Sequence, residues 1–195
     1  MDVLGNGLEI AEYHEDALTV REAELSMLRR LRASEESILI AQNNLANIYR
    51  ELGHLEQALS LHREVYARSE LGSPGANKFL GALNLAGSLT STRRFEEAKS
   101  LLRKVLPEAL RLYGPDHDTT LVFRRALVRN VGADPESSLA ELRQAEADLS
   151  DVRRRTRRIF GTSHPESASC EVLMGQLKAT IAARARKLQH NSGDA

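Results

Sequence analysis

Between residues 42 and 105 the apolar positions recur at helical spacing, twice over. In the first pass Leu45, Ile48, Tyr49, Leu52, Leu55 and Leu59 return every three or four residues, with Ala46 and Ala58 among them. In the second, Leu45-Ala46 returns as Leu85-Ala86, Ala58 as Ala98 and Val65 as Val105, each 40 positions on. A period of that size is about one helical hairpin. The alanines fall where two antiparallel helices must approach closely, and the leucines supply the bulk around them. Gly53 stands at the bend, where a positive φ costs least.

The same pattern divides the rest of the chain. From Leu8 to Arg32, Ile10, Ala17, Val20, Leu25, Leu28 and Leu31 keep to one side, and His14-Glu15-Asp16-Ala17-Leu18 echoes Leu55-Glu56-Gln57-Ala58-Leu59, 41 positions apart. Residues 9–33 therefore read as the second helix of a partial repeat. Ser34 caps the next helix, with Glu35 and Glu36 in its first turn opposing the helix dipole. That helix and its partner, 54–69, make a repeat over about 35–72, closed by Leu71-Gly72-Ser73-Pro74-Gly75. A second repeat over 76–114 pairs 77–92 with 94–113, the latter kinked near Val105 by Pro107. A third, 116–161, pairs 119–130 with a long helix that Pro135 starts and Phe160 ends. The helix over 164–189 has no partner and caps the stack, its outer face bearing Lys178, Arg184, Arg186 and Lys187. Gly5-Asn6-Gly7 marks a flexible start over 1–8, and 190–195 form a disordered tail.

The repeat unit resembles a tetratricopeptide repeat, whose pattern of Trp-x2-Leu-Gly-x2-Tyr followed by Ala-x3-Phe reads here as Gln42-x2-Leu45-Ala46-x2-Tyr49, then Ala58-x3-His62. The second copy reads Ala82-x2-Leu85-Ala86-x2-Leu89, then Ala98-x3-Leu102, with Arg93 where the bend glycine belongs. The long period and the connectors Gly114-Pro115-Asp116-His117-Asp118-Thr119 and Gly161-Thr162-Ser163-His164-Pro165-Glu166 are similar to the kinesin light chain type. The resemblance covers about residues 9–189 as one domain. It implies an all-α, right-handed superhelical solenoid of antiparallel helix hairpins, whose first helices line a concave groove for a peptide or a partner's helix.

Composition narrows the function by exclusion. With 27 basic and 27 acidic residues the chain lacks the overall field that gathers nucleic acid. No apolar run is long enough to span a membrane, and MDVLGNGLEI lacks the basic start and apolar core of a secretion signal, so the cytoplasm is the expected location. Acidic residues gather in 1–24 and arginines in 153–158, a polarity suited to self-association as well as to solvated helix faces. The six histidines show no metal-ligand spacing, no glycine-rich phosphate cradle follows a strand, and neither an enzyme nor a cofactor is indicated. His117 and His164 occupy matching places after connector glycines, where they buttress helix starts, and Cys170 lies on an apolar helix as core. The Arg153–Arg158 run spreads around its helix with no aromatic residues to stack on bases, which ranks an RNA-binding repeat below a protein-binding one.

A protein or peptide ligand is thus the expected partner, with an architectural or self-associating scaffold as the alternative. Asn44 and Asn84 precede two successive Leu-Ala pairs, and 40 further on stands Arg124, two residues before Ala126. Asn44, Asn84 and Arg124, with Asn47 one turn along from Asn44, are the candidate groove residues. The amides offer donor and acceptor to a peptide bond, and the guanidinium offers a fork to a carboxylate. The resemblance implies this use of Asn, while Asn43 and Leu83 stand where a carboxylate-binding version carries Lys.

Overall fold

The computed structural model describes the backbone of residues 2–71 and 76–193, and the side chains of 15–71 and 78–189. Among the described residues the chain forms eight α-helices and no strand. These are α1 (Asp2–Arg30), α2 (Glu35–Glu51), α3 (Leu55–Leu71), α4 (Ala76–Ser91), α5 (Phe95–Tyr113), α6 (Asp118–Ala133), α7 (Leu139–Phe160) and α8 (Pro165–Gly193). The architecture is an all-α helical-repeat solenoid, as the 40-residue recurrence requires. Contacts divide it into two compact units, 1–92 and 93–195, within what the sequence presents as one domain.

In the first unit α2 packs on α1 and α3, and α4 packs on α3 and reaches α2. The repeat's small residues are buried, Ala46 and Ala58 fully and Ala86 nearly so. Leu25, Ala41 and Leu45 form the buried centre between α1 and α2, with Leu28, Ile38, Tyr49 and Leu61 around it. Ser34 caps α2 through a 3.2 Å bond from the Ser37 amide to its hydroxyl. At the α2–α3 bend Gly53 adopts φ +80°, and 40 residues on Arg93 adopts φ +60°. The turn keeps its left-handed residue even where a side chain makes it cost about 1–2 kcal/mol.

In the second unit α6 packs on α5 and α7, and α8 packs on α7 and α6. Val128, Val131, Leu142, Ala145, Leu149, Leu173, Met174 and Leu177 form one core cluster, and Cys170 lies buried beside Leu121 and Val152 in another. Two connectors repeat one device. Gly114 and Gly161, at φ +81° and +86°, end their helices. His117 Nδ1 then accepts the Thr119 amide at 3.2 Å while its ring stacks on Tyr113, and His164 Nδ1 accepts the Glu166 amide at 3.2 Å while stacking on Phe160. Both histidines cap helix starts, as their matching positions predict.

Three boundaries differ from the sequence reading. Helix α1 runs through Gly5-Asn6-Gly7, because glycine inside a helix costs about 1 kcal/mol against alanine without forbidding it. Helix α8 runs to Gly193, into the segment expected as a disordered tail, while the connector Gly72-Ser73-Pro74-Gly75 and residues 194–195 lie outside the described residues. Pro135 does not start α7. It lies in a turn, and the helix begins at Leu139 behind a capping box in which Ser138 and Glu141 satisfy each other's backbone amides at 2.9 and 3.1 Å. Pro107 lies inside α5, which continues to Tyr113.

The burial of Ala58 generates a test of the packing. Ala58→Leu overfills the α2–α3 crossing and lowers stability by about 1–3 kcal/mol, read as a fall in the urea midpoint with an unchanged slope.

Candidate peptide groove

Three of the four residues singled out by the repeat fall in the first unit. Asn44 is half-buried on α2 and lines a small groove of about 80 Å³ together with Leu39, Ile40, Asn43, Val65, Ser69, Leu80 and Gly81. Asn84, on α4, donates through Nδ2 to Asn43 Oδ1 at 2.7 Å, tying α4 to the wall of the same groove. One turn along α2, Asn47 Oδ1 accepts from Arg50 Nη2 at 3.1 Å. Arg50 in turn lies over α4 at Gly87, where a Cβ would stand 2.8 Å from Nη1, so the missing side chain makes room for the guanidinium.

The groove's rim is apolar and in register. Ile40 is 51% exposed and Leu80 is 52% exposed, although Leu45 on α2 and Leu85 and Leu89 on α4 are buried. They too are 40 residues apart. Sequence reasoning passed over both, along with Ser69 and Gly81. The recurrence that singled out Asn44 and Asn84 contained the signal for Ile40 and Leu80. Asn43 stood out only as the residue in place of a Lys, because its bond to Asn84 crosses the helices at a spacing of 41 rather than 40.

Arg124 is different. It lies on α6 in the second unit, where Nη1 donates to Asp151 at 2.7 Å and its side chain is 20% exposed. Asp151 also accepts from Arg155 at 2.8 Å and from Arg154, and the Arg124 bond is the largest of the causes holding its carboxyl far below the usual carboxylate range. The arginine run of α7 is similarly engaged: Arg155 and Arg158 bind Asp116, while Arg153 and Arg157 bind Glu171 of α8 at 3.2 and 2.8 Å. The Arg155 hydrogen bond is the main cause lowering the Asp116 carboxyl. These arginines fasten α7 to its neighbours, which explains their density without a nucleic acid. Lys99, buried on α5, is held by Glu96 at 2.6 Å, a bond that raises its ammonium, and has Glu141 and Asp134 at 3.6 and 3.8 Å.

Behind the groove, His62 is fully buried on α3 with Nδ1 2.7 Å from the Ser88 hydroxyl of α4. Burial, reinforced by the Arg50 charge, lowers its ring to about 4 and outweighs the opposing pull of the Asn43 carbonyl. Among the described residues no group of three or more His, Cys, Asp and Glu could hold a metal ion, and no helix is long and apolar enough to cross a membrane.

Residues 38–71 and 82–118 match the tetratricopeptide repeat family model. The whole chain is similar in fold to solved structures from Podosopora anserina of a protein described as a putative kinesin light chain with nearly identical TPR-like repeats. One of them, a single-substitution variant, matches at TM-score 0.67 and 18% identity, over 96% of this chain and 94% of that one. Another gives TM-score 0.66 and 18% identity over the full length of both. BtubC (BKLC) from P. vanneervenii gives TM-score 0.65 and 16% identity, over 89% of this chain and 74% of its own. Among curated proteins, none matches the chain. The two matched stretches carry tetratricopeptide repeats, and the chain as a whole shares the fold of the kinesin light chain-like TPR repeats.

His62 generates a pH test. The folded ring stays neutral down to about 4, whereas in the unfolded chain it takes up a proton from about 6.5 downward. The stability of the neutral buried ring is therefore present above pH 6.5 and is lost as pH falls from 6.5 toward 4, by about 3 kcal/mol. Chemical melts between those pH values show this slope in the wild type and a flatter one in His62→Phe.

Proposed function

We propose that this protein is a non-catalytic interaction module that binds an extended peptide of a partner protein along α2 and α4. Repeats of this fold typically mediate protein–protein interaction, which supplies the class. The observation that carries the finer reading is the pair of equivalent, half-exposed side chains Ile40 and Leu80 flanking a groove that contains Asn43 and Asn44. A void of about 80 Å³ takes one small aliphatic side chain. Around it, Asn44 and Asn84 present amide groups that suit a peptide backbone, since each offers both a donor and an acceptor. Extended peptides are read in this manner, by backbone bonds for affinity and a pocket for every second side chain. Asn47 serves the site indirectly by holding Arg50. Arg124, whose guanidinium serves Asp151, stands outside this reading and provides its control.

A displayed peptide library selected on the purified chain supplies the probe. For a selected peptide, Asn84→Ala and Asn44→Ala each weaken binding by about 1–3 kcal/mol, roughly tenfold to a hundredfold in Kd. Leu80→Asp abolishes measurable binding, while Arg124→Ala leaves the Kd unchanged in calorimetric titration. Peptides that bind equally well to Leu80→Asp and Asn84→Ala would place recognition elsewhere.

A further inference from the structure

Helices α1 and α8 each carry an apolar face that the other helices of the chain do not cover in their own unit. On α1, Asp16, Val20, Ala23 and Met27, with Leu31 just past its end, recur at i, i+4, i+7, i+11 and i+15, one stripe along the cylinder. Val20, Met27 and Leu31 are 63%, 56% and 69% exposed. The stripe lies opposite Leu18 and Leu25, which pack toward α2. The repeat tells which way it points. Its equivalents on α3, 41 positions on, are Leu61, Glu64 and Arg68, and two of these reach back to preceding elements: Leu61 packs against the cluster of Leu25, Ala41 and Leu45, and Arg68 pairs with Glu35. The stripe on α1 is the backward-facing side of a second helix that no first helix covers.

Helix α8 shows the converse. Ala168, Val172, Gly175, Ala179 and Ala182 form an exposed stripe opposite the buried Cys170, Met174 and Leu177. Its equivalents on α6, 47 positions back, are Leu121, Arg125, Val128 and Gly132. These face forward: Leu121 packs with Val152, Val128 with Leu142 and Leu149, Gly132 lies beside Leu177, and Arg125 pairs with Glu166. The stripe on α8 is the forward-facing side of a first helix that no second helix covers.

We infer that α8 of one copy docks on α1 of a second copy, completing a hairpin across the two chains. The shapes suit one another, since the large side chains of α1 meet a face that is Gly or Ala at every position but Val172, which lets the helix axes approach closely. Laid antiparallel, as the helices of a hairpin are, Met27 falls opposite Val172 and Val20 opposite Ala179. The same register brings the exposed Arg186 and Lys187 near the end of α8 within a turn of the exposed Glu15 and Asp16. Opposite charges therefore meet at that end and set the direction of docking. Because the two faces differ, the contact is heterologous and each copy retains one free face of each kind.

Sedimentation velocity of the full chain from micromolar to millimolar concentration tests this. The wild type gains mass with concentration, and Met27→Glu or Ala179→Glu, each at an exposed position, shifts the midpoint upward at least tenfold while circular dichroism stays unchanged. An equimolar mixture of the two variants forms a dimer and nothing larger, because each retains the face the other lacks. A wild type monomeric at every concentration, a variant that assembles as the wild type does, or a mixture that stays monomeric would overturn the inference.

Discussion

Close approach of helices at small side chains is the constraint on which the structure rests. With no Trp and only 4% aromatic residues, the chain has few large groups with which to fill space between helices held far apart. It brings them together instead, with Ala46, Ala58, Ala86, Ala98 and Ala109 all essentially without exposure and Leu59, Leu102, Leu142 and Leu149 filling the gaps. Such packing gains many short-range dispersion contacts per residue, and it tolerates little change of volume at the crossings. It also leaves room at other places for polar substitutions that a wider core would not need. Gln42 and His62 occupy the positions where the repeat pattern carries Trp and Phe, and both are wholly buried.

Polar groups accordingly do structural work inside and between the helices. His62 joins α3 to α4 through Ser88, Asn43 joins α2 to α4 through Asn84, and Lys99 is enclosed by carboxylates. In the second unit the pairs of Asp151, Asp116 and Glu171 with arginines link α7 to α6, to the connector before it and to α8. Half-exposed pairs of this kind add little stability singly, yet they fix the rotation of α7 about its axis, because a rotated helix would leave several charges without partners.

The fold was legible because a repeat states its message more than once. Two copies 40 residues apart fixed the hairpin length, the alanine crossings and the bend, and the connector glycines with His117 and His164 fixed the helix starts that follow them. Errors arose where one local signal competed with another. Pro135 pointed to a helix start while the Ser138–Glu141 box that begins α7 went unread, and the glycines at 5 and 7 outweighed the helical periodicity that followed them. The candidate site was legible only in part. Asn44 and Asn84 could be found by their register, but the bond from Asn84 to Asn43 and the capture of Arg124 by Asp151 depend on distances between helices that no spacing along the chain encodes.

The left-handed residue at position 93 bears on how such chains diverge. Gly53 and Arg93 take the same backbone conformation at equivalent bends, so the conformation belongs to the hairpin and not to the glycine. At position 93 that conformation carries a local penalty of about 1–2 kcal/mol, which glycine at position 53 avoids. A bend that keeps its left-handed residue with or without glycine is free to drift there, one copy at a time. One copy of the bend in this chain has kept its glycine and the next has lost it, in a fold shared with structures only 18% identical to it.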